Sequence, residues 1–357
     1  MITYEKFKDL RDFSIKNIVP AFESAGYIDR ASKIKHCGDF TIISQCKNCG
    51  TNYFDGWYAC RDRFCPLCQK KKSLQYVAKL MPILLDLSKK GYFVNIVNFT
   101  IKDNNNLKNS LDLLYKAFRY LQHDNKYFRT EFNKRFVGGL RSLEIKKGKN
   151  SKEWHPHFHC IVVKKDFSSD FEFLRDAWEK SLSFVGNTTD KLGSVWLHSV
   201  NCNNRKELLK SIVESLKYVT KYDGDGKFEN HTLSLSTLDA PSIIELVEST
   251  QNIRSLSTWG CLYNFKNDNV DNIDNLITKI CKVCNSDDFE DSSVLTDYNN
   301  DVIYDFNSKD TKLIDLHNEY INKLSNDYVQ ICFDDLDCDS SPDKHEVDGS
   351  SPFIPTK

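Results

Sequence analysis

The sequence predicts an α+β fold in which helices back an antiparallel sheet. From Tyr92 onward, apolar patterns of strand and helix period follow one another in the order βαββαβα. Two consecutive strands in the middle of this order suit an antiparallel sheet of the ferredoxin or RRM type. Six cysteines lie from Cys37 to Cys68, ahead of these elements. We therefore expect a zinc-ribbon-like element in front of the sheet.

Each element follows from its local pattern, taken along the chain. Residues 1–30 predict a short helical lead-in. Apolar residues at helical spacing predict helices at 70–87, 107–121, 170–184, 205–222 and 241–247. Alternating or continuous apolar residues predict strands at 92–101, 138–146, 155–163 and 194–200. The Gly-, Asp- and Lys-containing stretch at 223–230 predicts a loop.

These elements divide the chain into four parts. The expected parts are a helical lead-in with the Cys-rich element, an α+β domain, a helical extension and an acidic, flexible tail, at 1–70, 71–235, 236–285 and 286–357. The tail is Asn- and Ser-rich, a composition that disfavours a packed core.

Charge is distributed unevenly along the chain. Residues 286–357 carry 18 acidic residues against five lysines, whereas the preceding 285 residues carry 44 basic and 32 acidic residues. The basic body indicates a polyanionic partner, and the acidic tail can compete for the same surface. The alternative is that both are ordinary solvated surfaces.

The amino-acid composition also bears on the cellular location of the protein. No apolar run approaches the length of a membrane span, and the polar N-terminus lacks a signal-peptide pattern. Many of the 13 cysteines are bunched at metal-type spacing, which indicates reduced thiols. We expect a soluble, cytoplasmic protein with no membrane partner.

The run at 155–163 carries the clearest chemical signal. Because side chains alternate faces along a strand, His155, His157 and His159 share one face. If residues 147–154 form a hairpin turn, Glu144 lies almost opposite His157. Two imidazoles and a carboxylate would hold a divalent ion with open coordination positions, as a Lewis acid acting on phosphate needs. The alternatives are core histidines satisfied by hydrogen bonds, and a surface ion pair of Glu144 with a neighbouring lysine.

The Cys-rich segment predicts a structural zinc site. Two C-x2-C pairs are separated by 15 residues, close to the spacing of a four-cysteine ribbon. The predicted ligands are Cys46, Cys49, Cys65 and Cys68. The two surplus cysteines, Cys37 and Cys60, either replace one of these ligands or join a second site with His36.

A third group lies on the helix predicted at 205–222. Helical spacing places Glu214, Tyr218 and Tyr222 on one face, with Lys221 beside them. A tyrosine hydroxyl becomes a nucleophile only with help from neighbouring groups. On its own this pattern is equally that of an aromatic packing stripe with a solvated acid.

Taken together, these residues resemble the rolling-circle replication initiator (Rep) proteins of small plasmids, members of the HUH endonuclease superfamily. His157-Phe158-His159 matches the metal-binding strand of that family, and Tyr218 with Lys221 matches its nucleophile helix. Glu214 stands four residues before the tyrosine, as in one branch of the family. The segment 60–68 matches its Cys-x-x-Arg-x-Cys-Pro-x-Cys element.

The resemblance implies nicking and rejoining of single-stranded or hairpin origin DNA. It implies Mg or Mn at His157 and His159, attack by Tyr218, and a 3′-OH that primes the host polymerase. Glu214 would activate water in termination, and Tyr222 is a candidate for a second transfer. Host helicase and polymerase are implied partners.

Two other functions stay open. A transposase or relaxase of the same superfamily would share the chemistry, although the chain has no Gly-x4-Gly-Lys-Ser/Thr nucleotide-binding loop. A non-enzymatic zinc-dependent DNA-binding protein would not need Tyr218.

Overall fold

In a computed structural model, the chain forms two antiparallel sheets with helices packed on them. The structure describes residues 2–57, 59–166, 170–216, 232–233, 235–263, 281, 283–296 and 302–305. Within these ranges, no helix is long and apolar enough to cross a membrane.

Strands and helices are numbered along the chain. The strands are β1 (Ile2–Thr3), β2 (Phe40–Cys46), β3 (Asn52–Trp57), β4 (Phe93–Ile101), β5 (Phe136–Gly148), β6 (Trp154–Lys164), β7 (Gly193–Val200), β8 (Thr232–Leu233), β9 (Leu256–Gly260), β10 (Phe289–Thr296) and β11 (Val302–Asp305). The α-helices are α1 (Tyr4–Phe13), α2 (Val19–Ser24), α3 (Ile28–Lys35), α4 (Pro66–Lys89), α5 (Leu107–Arg119), α6 (Lys126–Arg135), α7 (Phe171–Gly186), α8 (Arg205–Ser215) and α9 (Ala240–Ser249). Single π-helical turns join α1 to α2 and extend α5.

The larger sheet has the order β7-β4-β6-β5-β8, and β9 also pairs with β5. All its pairs are antiparallel. Its centre is a β-α-β-β-α-β unit. Along the chain, α5 lies between β4 and β5, and α7 connects β6 to β7. The predicted antiparallel sheet backed by helices is therefore confirmed.

Two apolar cores lie on opposite faces of this sheet. One contains α5, α7, α9 and the N-terminal helices, together with odd-numbered residues of β4 such as Phe99. The other contains α4 and α8 against even-numbered residues such as Val94. The alternation of side chains along each strand sends each residue set to one core. His157 and His159 have the same parity as Ile161 and Val163 of β6, so they share the face on which α4 and α8 pack.

Local signals explain several helix starts. The side chain of Asn106 accepts a hydrogen bond from the backbone N–H of Asn109 at the start of α5, and Asn125 does the same for Phe128 at the start of α6. Pro66 opens α4 at a position where a missing N–H costs nothing. The sequence analysis did not predict α6, although Asn125 is a typical N-cap residue.

Strand β9 was also not predicted, and glycine explains how it fits. β9 lies against β5 with Gly139 paired to Trp259. A Cβ atom on Gly139 would come within 2.6 Å of the Ile161 carbonyl oxygen and closer still to the Trp259 ring. The absence of a side chain at this position therefore admits the large Trp259 ring.

The smaller sheet has the order β1-β3-β2-β10-β11. β10 runs antiparallel to β2, with Phe289 paired to Cys46. The acidic composition predicted that residues 289–296 belong to a flexible tail. In the structure they instead form β10, which pairs with the N-terminal strand β2. A charge count reports solvation and does not reveal such a long-range pairing.

Candidate metal and nucleic-acid site

The histidine strand occupies the centre of the larger sheet. β6 pairs with β4 on one side and with β5 on the other. Glu144 of β5 lies directly opposite His157, which confirms the register expected from the hairpin. Because both neighbouring strands hold β6 along its length, the site is built on a rigid part of the fold.

Three ligand atoms converge there. Glu144 Oε2 lies 2.9 Å from His157 Nε2 and 2.6 Å from His159 Nε2, and the two nitrogens are 3.0 Å apart. The exposed fraction is 1% for Glu144 and 5% for each histidine. A buried carboxylate beside two imidazoles is an arrangement that can hold a metal ion.

A backbone contact orients the imidazole ring of His157. Its Nδ1 lies 3.3 Å from the carbonyl oxygen of His155, which can only accept a hydrogen bond. This contact favours a proton on Nδ1, which would leave Nε2 as the nitrogen that binds a metal ion beside Glu144 and His159. Metal-binding histidines are oriented by such outer hydrogen bonds.

Electrostatics keep the carboxylate charged. Burial opposes ionisation of Glu144, but hydrogen bonds to His157 and His159 and the positive charge of Lys146 outweigh it, so the pKa of Glu144 lies well below its usual value. Lys146 Nζ is 3.9 Å from Glu144 Oε1. An anionic ligand is therefore available at neutral pH.

The donor set fits a divalent ion. Ligand bonds of about 2.1 Å at right angles place neighbouring ligand atoms about 3 Å apart, close to the three distances found here. Glu144 Oε1 and His159 Nδ1 are also buried and, within the described residues, lack a hydrogen-bond partner. Three ligands on one side would leave the opposite side of the ion for other oxygens.

His155 is excluded from this group by a different partner. Its Nδ1 lies 2.5 Å from Asp103 Oδ1, and the side chain is partly exposed. Burial and the neighbouring His157 lower the pKa of His155 despite Asp103. His155 therefore flanks the site without joining its ligands.

The four cysteines predicted as one zinc site are not brought together. They fall into two groups: Cys65 and Cys68 join Cys37 and Cys60, whereas Cys46 and Cys49 join Cys281 and Cys284. The prediction failed because spacing along the chain does not report which strands pair. His36 belongs to neither group, since its Nδ1 contacts Asp39 at 2.8 Å.

The first group surrounds the start of α4. Cys68 Sγ lies 3.6 Å from both Cys37 Sγ and Cys60 Sγ. Cys37 and Cys65 are fully buried. Hydrogen bonds from Cys37 and Cys60 hold the pKa of Cys68 well below its usual value, so one sulfur is readily ionised. The two cysteines that spacing left surplus thus belong here with Cys65 and Cys68.

The helix expected to carry the nucleophile is described only in part. α8 includes Glu214, while Tyr218, Lys221 and Tyr222 lie outside the described residues. The hydroxyl of Ser142 donates to the carbonyl oxygen of Ser215, the last residue of α8. Ser142 is the cross-strand neighbour of His159. This hydrogen bond therefore anchors the end of α8 to Ser142, directly beside the metal-binding residue His159.

Comparison with known proteins identifies the family of the chain. The profile of a family described as "Replication protein" matches residues 53–311. Two similar curated proteins, both called "Protein rep", come from Streptococcus pneumoniae serotype 2 and Lactiplantibacillus plantarum. The first is 25% identical over 215 residues, covering 56% of this chain and 63% of that protein. The second is 28% identical over 210 residues, covering 54% and 62%.

A third "Protein rep", from Lentilactobacillus hilgardii, is 24% identical over 203 residues, covering 54% of this chain and 62% of that protein. The chain thus spans about three fifths of the length of these curated relatives. No solved structure gives a significant match.

Proposed function

The chain belongs to the replication protein family, and from this premise we propose that it is a plasmid rolling-circle replication initiator of the HUH endonuclease fold. It would nick and rejoin single-stranded or hairpin origin DNA. The observation that carries the proposal is the convergence of Glu144, His157 and His159 on one buried point of the sheet.

This group has the donors for the catalytic ion. Mg or Mn held by Glu144, His157 and His159 would polarise the scissile phosphate. The chain's own contribution is to keep Glu144 ionised and Nε2 of His157 directed inward. Both features exist before substrate arrives, so the site is preorganised.

Tyr218 is the proposed nucleophile. It stands three residues beyond Ser215, so its Cα lies within at most about 11 Å of the Ser215 Cα. Ser215 contacts Ser142, the neighbour of His159. The chain can therefore bring Tyr218 to the metal-binding group without a long connection. Lys221 would offset charge near the attacked phosphate.

The bonds exchanged in the reaction balance without a nucleotide cofactor. The Tyr218 oxygen forms a bond to phosphorus, and the bond to the 3′ oxygen breaks. The tyrosine proton passes to a base, and the departing 3′ oxygen takes up a proton. The 3′-OH then primes synthesis, and the 5′-phosphotyrosine keeps the linkage for rejoining. Glu214 would activate water for the hydrolysis that ends the cycle, and Tyr222 would serve any second transfer.

The remaining parts have supporting roles in this proposal. Zinc held by Cys37, Cys60, Cys65 and Cys68 would fix the start of α4 against the N-terminal helices. The basic body would hold the DNA backbone. Host helicase and polymerase would act on the nicked origin in the cytoplasm. The expected four-part division of the chain remains a prediction, except that residues 289–296 belong to the smaller sheet.

A covalent adduct tests the mechanism. Full-length protein with Mn would be incubated with single-stranded oligonucleotides tiled across the replicon that carries the gene. We expect an adduct on the fragment with the 5′ phosphate, because the tyrosine oxygen keeps that phosphate. Tyr218→Phe removes only the hydroxyl and should abolish the adduct while DNA binding persists.

Two variants sharpen this test. Tyr222→Phe is the matched control and should leave the first nick intact, whereas Glu214→Ala should nick but fail to terminate. An adduct mapped to Tyr222, or nicking by the Tyr218→Phe protein, would contradict the assignment. Absence of nicking on every oligonucleotide would argue for a non-enzymatic DNA-binding protein.

A further inference from the structure

Two short segments far apart in the chain have the same sequence pattern. Residues 46–51 read Cys-Lys-Asn-Cys-Gly-Thr, and residues 281–286 read Cys-Lys-Val-Cys-Asn-Ser. The first follows β2, and the second precedes β10. β2 and β10 pair in the smaller sheet, so the two segments meet at the same end of it.

Their backbones also match. The carbonyl oxygen of Cys46 accepts from Gly50 N–H at 2.7 Å, and that of Cys281 accepts from Asn285 N–H at 2.9 Å. The N–H of Cys46 donates to the Thr51 carbonyl oxygen, as the N–H of Cys281 does to that of Ser286. Gly50 and Asn285 both have positive φ, at 72° and 58°. Each segment therefore forms the same tight turn.

These turns direct four sulfurs to one point. Cys46 Sγ lies 3.5 Å from Cys284 Sγ, and Cys49 Sγ lies 3.4 Å from Cys281 Sγ. All four sulfurs are within 4.8 Å of one another. Zinc–sulfur bonds of about 2.3 Å in a tetrahedron place sulfurs about 3.8 Å apart, whereas a disulfide needs about 2 Å. The contacts suit a shared ion better than a bond between sulfurs.

We propose that Cys46, Cys49, Cys281 and Cys284 form a second structural zinc site, distinct from that of Cys37, Cys60, Cys65 and Cys68. It would join β2 to β10 and so tie together two parts of the chain separated by more than 230 residues. The nicking proposal does not depend on this ion, since none of its four ligands belongs to the larger sheet.

Metal content tests the site. In a His157→Ala, His159→Ala background, which removes the Glu144 group as a competing zinc site, full-length protein expressed with added zinc and purified without chelator should hold two zinc ions per chain, and Cys281→Ser should lower this to one. Cys261→Ser is the matched control, because Cys261 is a free cysteine outside both groups. It should keep two ions. Unchanged zinc in the Cys281→Ser protein would overturn the proposal.

Hydrogen exchange tests the structural role in the same samples. Loss of the ion should reduce amide protection in 40–46 and 289–296, the paired strands, and leave 154–164 unchanged. If Cys281→Ser does not yield soluble protein, Cys284→His supplies another zinc ligand and should restore protection where Cys284→Ser does not. Equal protection in all variants would contradict the role.

A separate observation concerns Trp196 on β7, at the edge of the larger sheet. Trp196 pairs with Asn98 of β4, which in turn pairs with His159 of β6. The three residues thus form one row on the face that carries the metal-binding group. Trp196 is 69% exposed, whereas Trp57, Trp154 and Trp178 are buried.

We infer, on the basis of the proposed function, that Trp196 stacks on a base next to the scissile phosphate. Two strand spacings place it about 10 Å from His159. An exposed indole at that distance offers a flat apolar surface that any base can cover. Trp196 would be a positioning residue, because it contacts DNA away from the reacting atoms.

Fluorescence with oligo(dT), a probe of stacking that does not require the origin sequence, tests this inference. The probe should quench the wild-type protein but not Trp196→Phe, and Trp196→Ala should bind it about 10-fold more weakly. Tyr127→Ala, which removes an exposed aromatic from α6 on the other face, should bind normally. Equal quenching in Trp196→Phe and equal affinity in Trp196→Ala would overturn the inference. Origin nicking, assayed separately, reports on the proposed function itself.

Discussion

One backbone contact distinguishes His157 from its neighbour two positions earlier. His157 Nδ1 faces the His155 carbonyl oxygen, which leaves Nε2 directed at Glu144. The imidazole of His155 meets Asp103 at the edge of the site. Two histidines with the same strand parity therefore have different chemical roles, decided by what each ring nitrogen contacts.

Replacing each of these histidines by alanine should lower nicking to very different extents. Loss of an outer partner of a metal ligand costs about 10–100-fold in metal affinity or activity, and loss of the ligand itself should cost more. We expect His157→Ala to lower nicking by more than about 100-fold and His155→Ala to lower it only slightly. Nicking rates at saturating Mn, together with thermal unfolding of both variants, measure this. An equal loss in both variants would mean that His155 is also a ligand.

Much of the metal-binding group could be predicted from sequence. The alternation of a strand placed His157 and His159 together, and the length of the hairpin turn placed Glu144 opposite His157. Both rules are local, so a sequence is sufficient to apply them. The position of Tyr218 stays a prediction, because it depends on how the chain continues beyond α8.

Apolar residues at helical spacing predicted two helices close to their observed bounds. The helix expected at 170–184 is α7, and the one expected at 241–247 is α9. Strand β9 was missed because five residues with little alternation carry a weak signal. Its place is decided by a tertiary contact, the approach of Trp259 to Gly139.

That contact makes Gly139 sensitive to substitution. A methyl group there would meet the Ile161 carbonyl oxygen and the Trp259 ring, so Gly139→Ala should lower the free energy of unfolding by about 1–3 kcal/mol. Gly186→Ala is the control, because its nearest neighbour is the flexible end of Leu192 and little should change. Urea unfolding of both variants measures the difference. A Gly139→Ala protein as stable as the wild type would show that β9 can shift without cost.

The two cysteine groups show what spacing cannot predict. Cys46 and Cys65 lie close in sequence, yet each joins a different group. The usable signal was the third C-x2-C pair, Cys281 and Cys284, which repeats the pattern of Cys46 and Cys49. Its partner could not be assigned without the pairing of β2 with β10, a contact between distant parts of the chain.

The molecule as a whole is basic in its body and acidic toward its end. Residues 306–357 contain 11 acidic residues and five lysines. Removing them should raise affinity for non-specific single-stranded DNA by about 3- to 10-fold at 50 mM salt, with a smaller gain at 200 mM, because salt screens the competition. Binding titrations at both salt concentrations measure this. A full-length variant with the 11 acids changed to Asn or Gln should behave like the deletion; if it does not, charge is not the cause.

The pairing of β2 with β10 also sets an order for synthesis on the ribosome. β2 and β3 emerge early, but the strand that covers the other edge of β2 ends only at Thr296. At about 5–20 residues per second, more than ten seconds pass between these events. During that interval the nascent chain exposes an unpaired strand edge, which is a hazard for aggregation. The smaller sheet is thus the first to begin forming and the last to be completed. A translation product that ends before β10 would leave the edge of β2 unpaired.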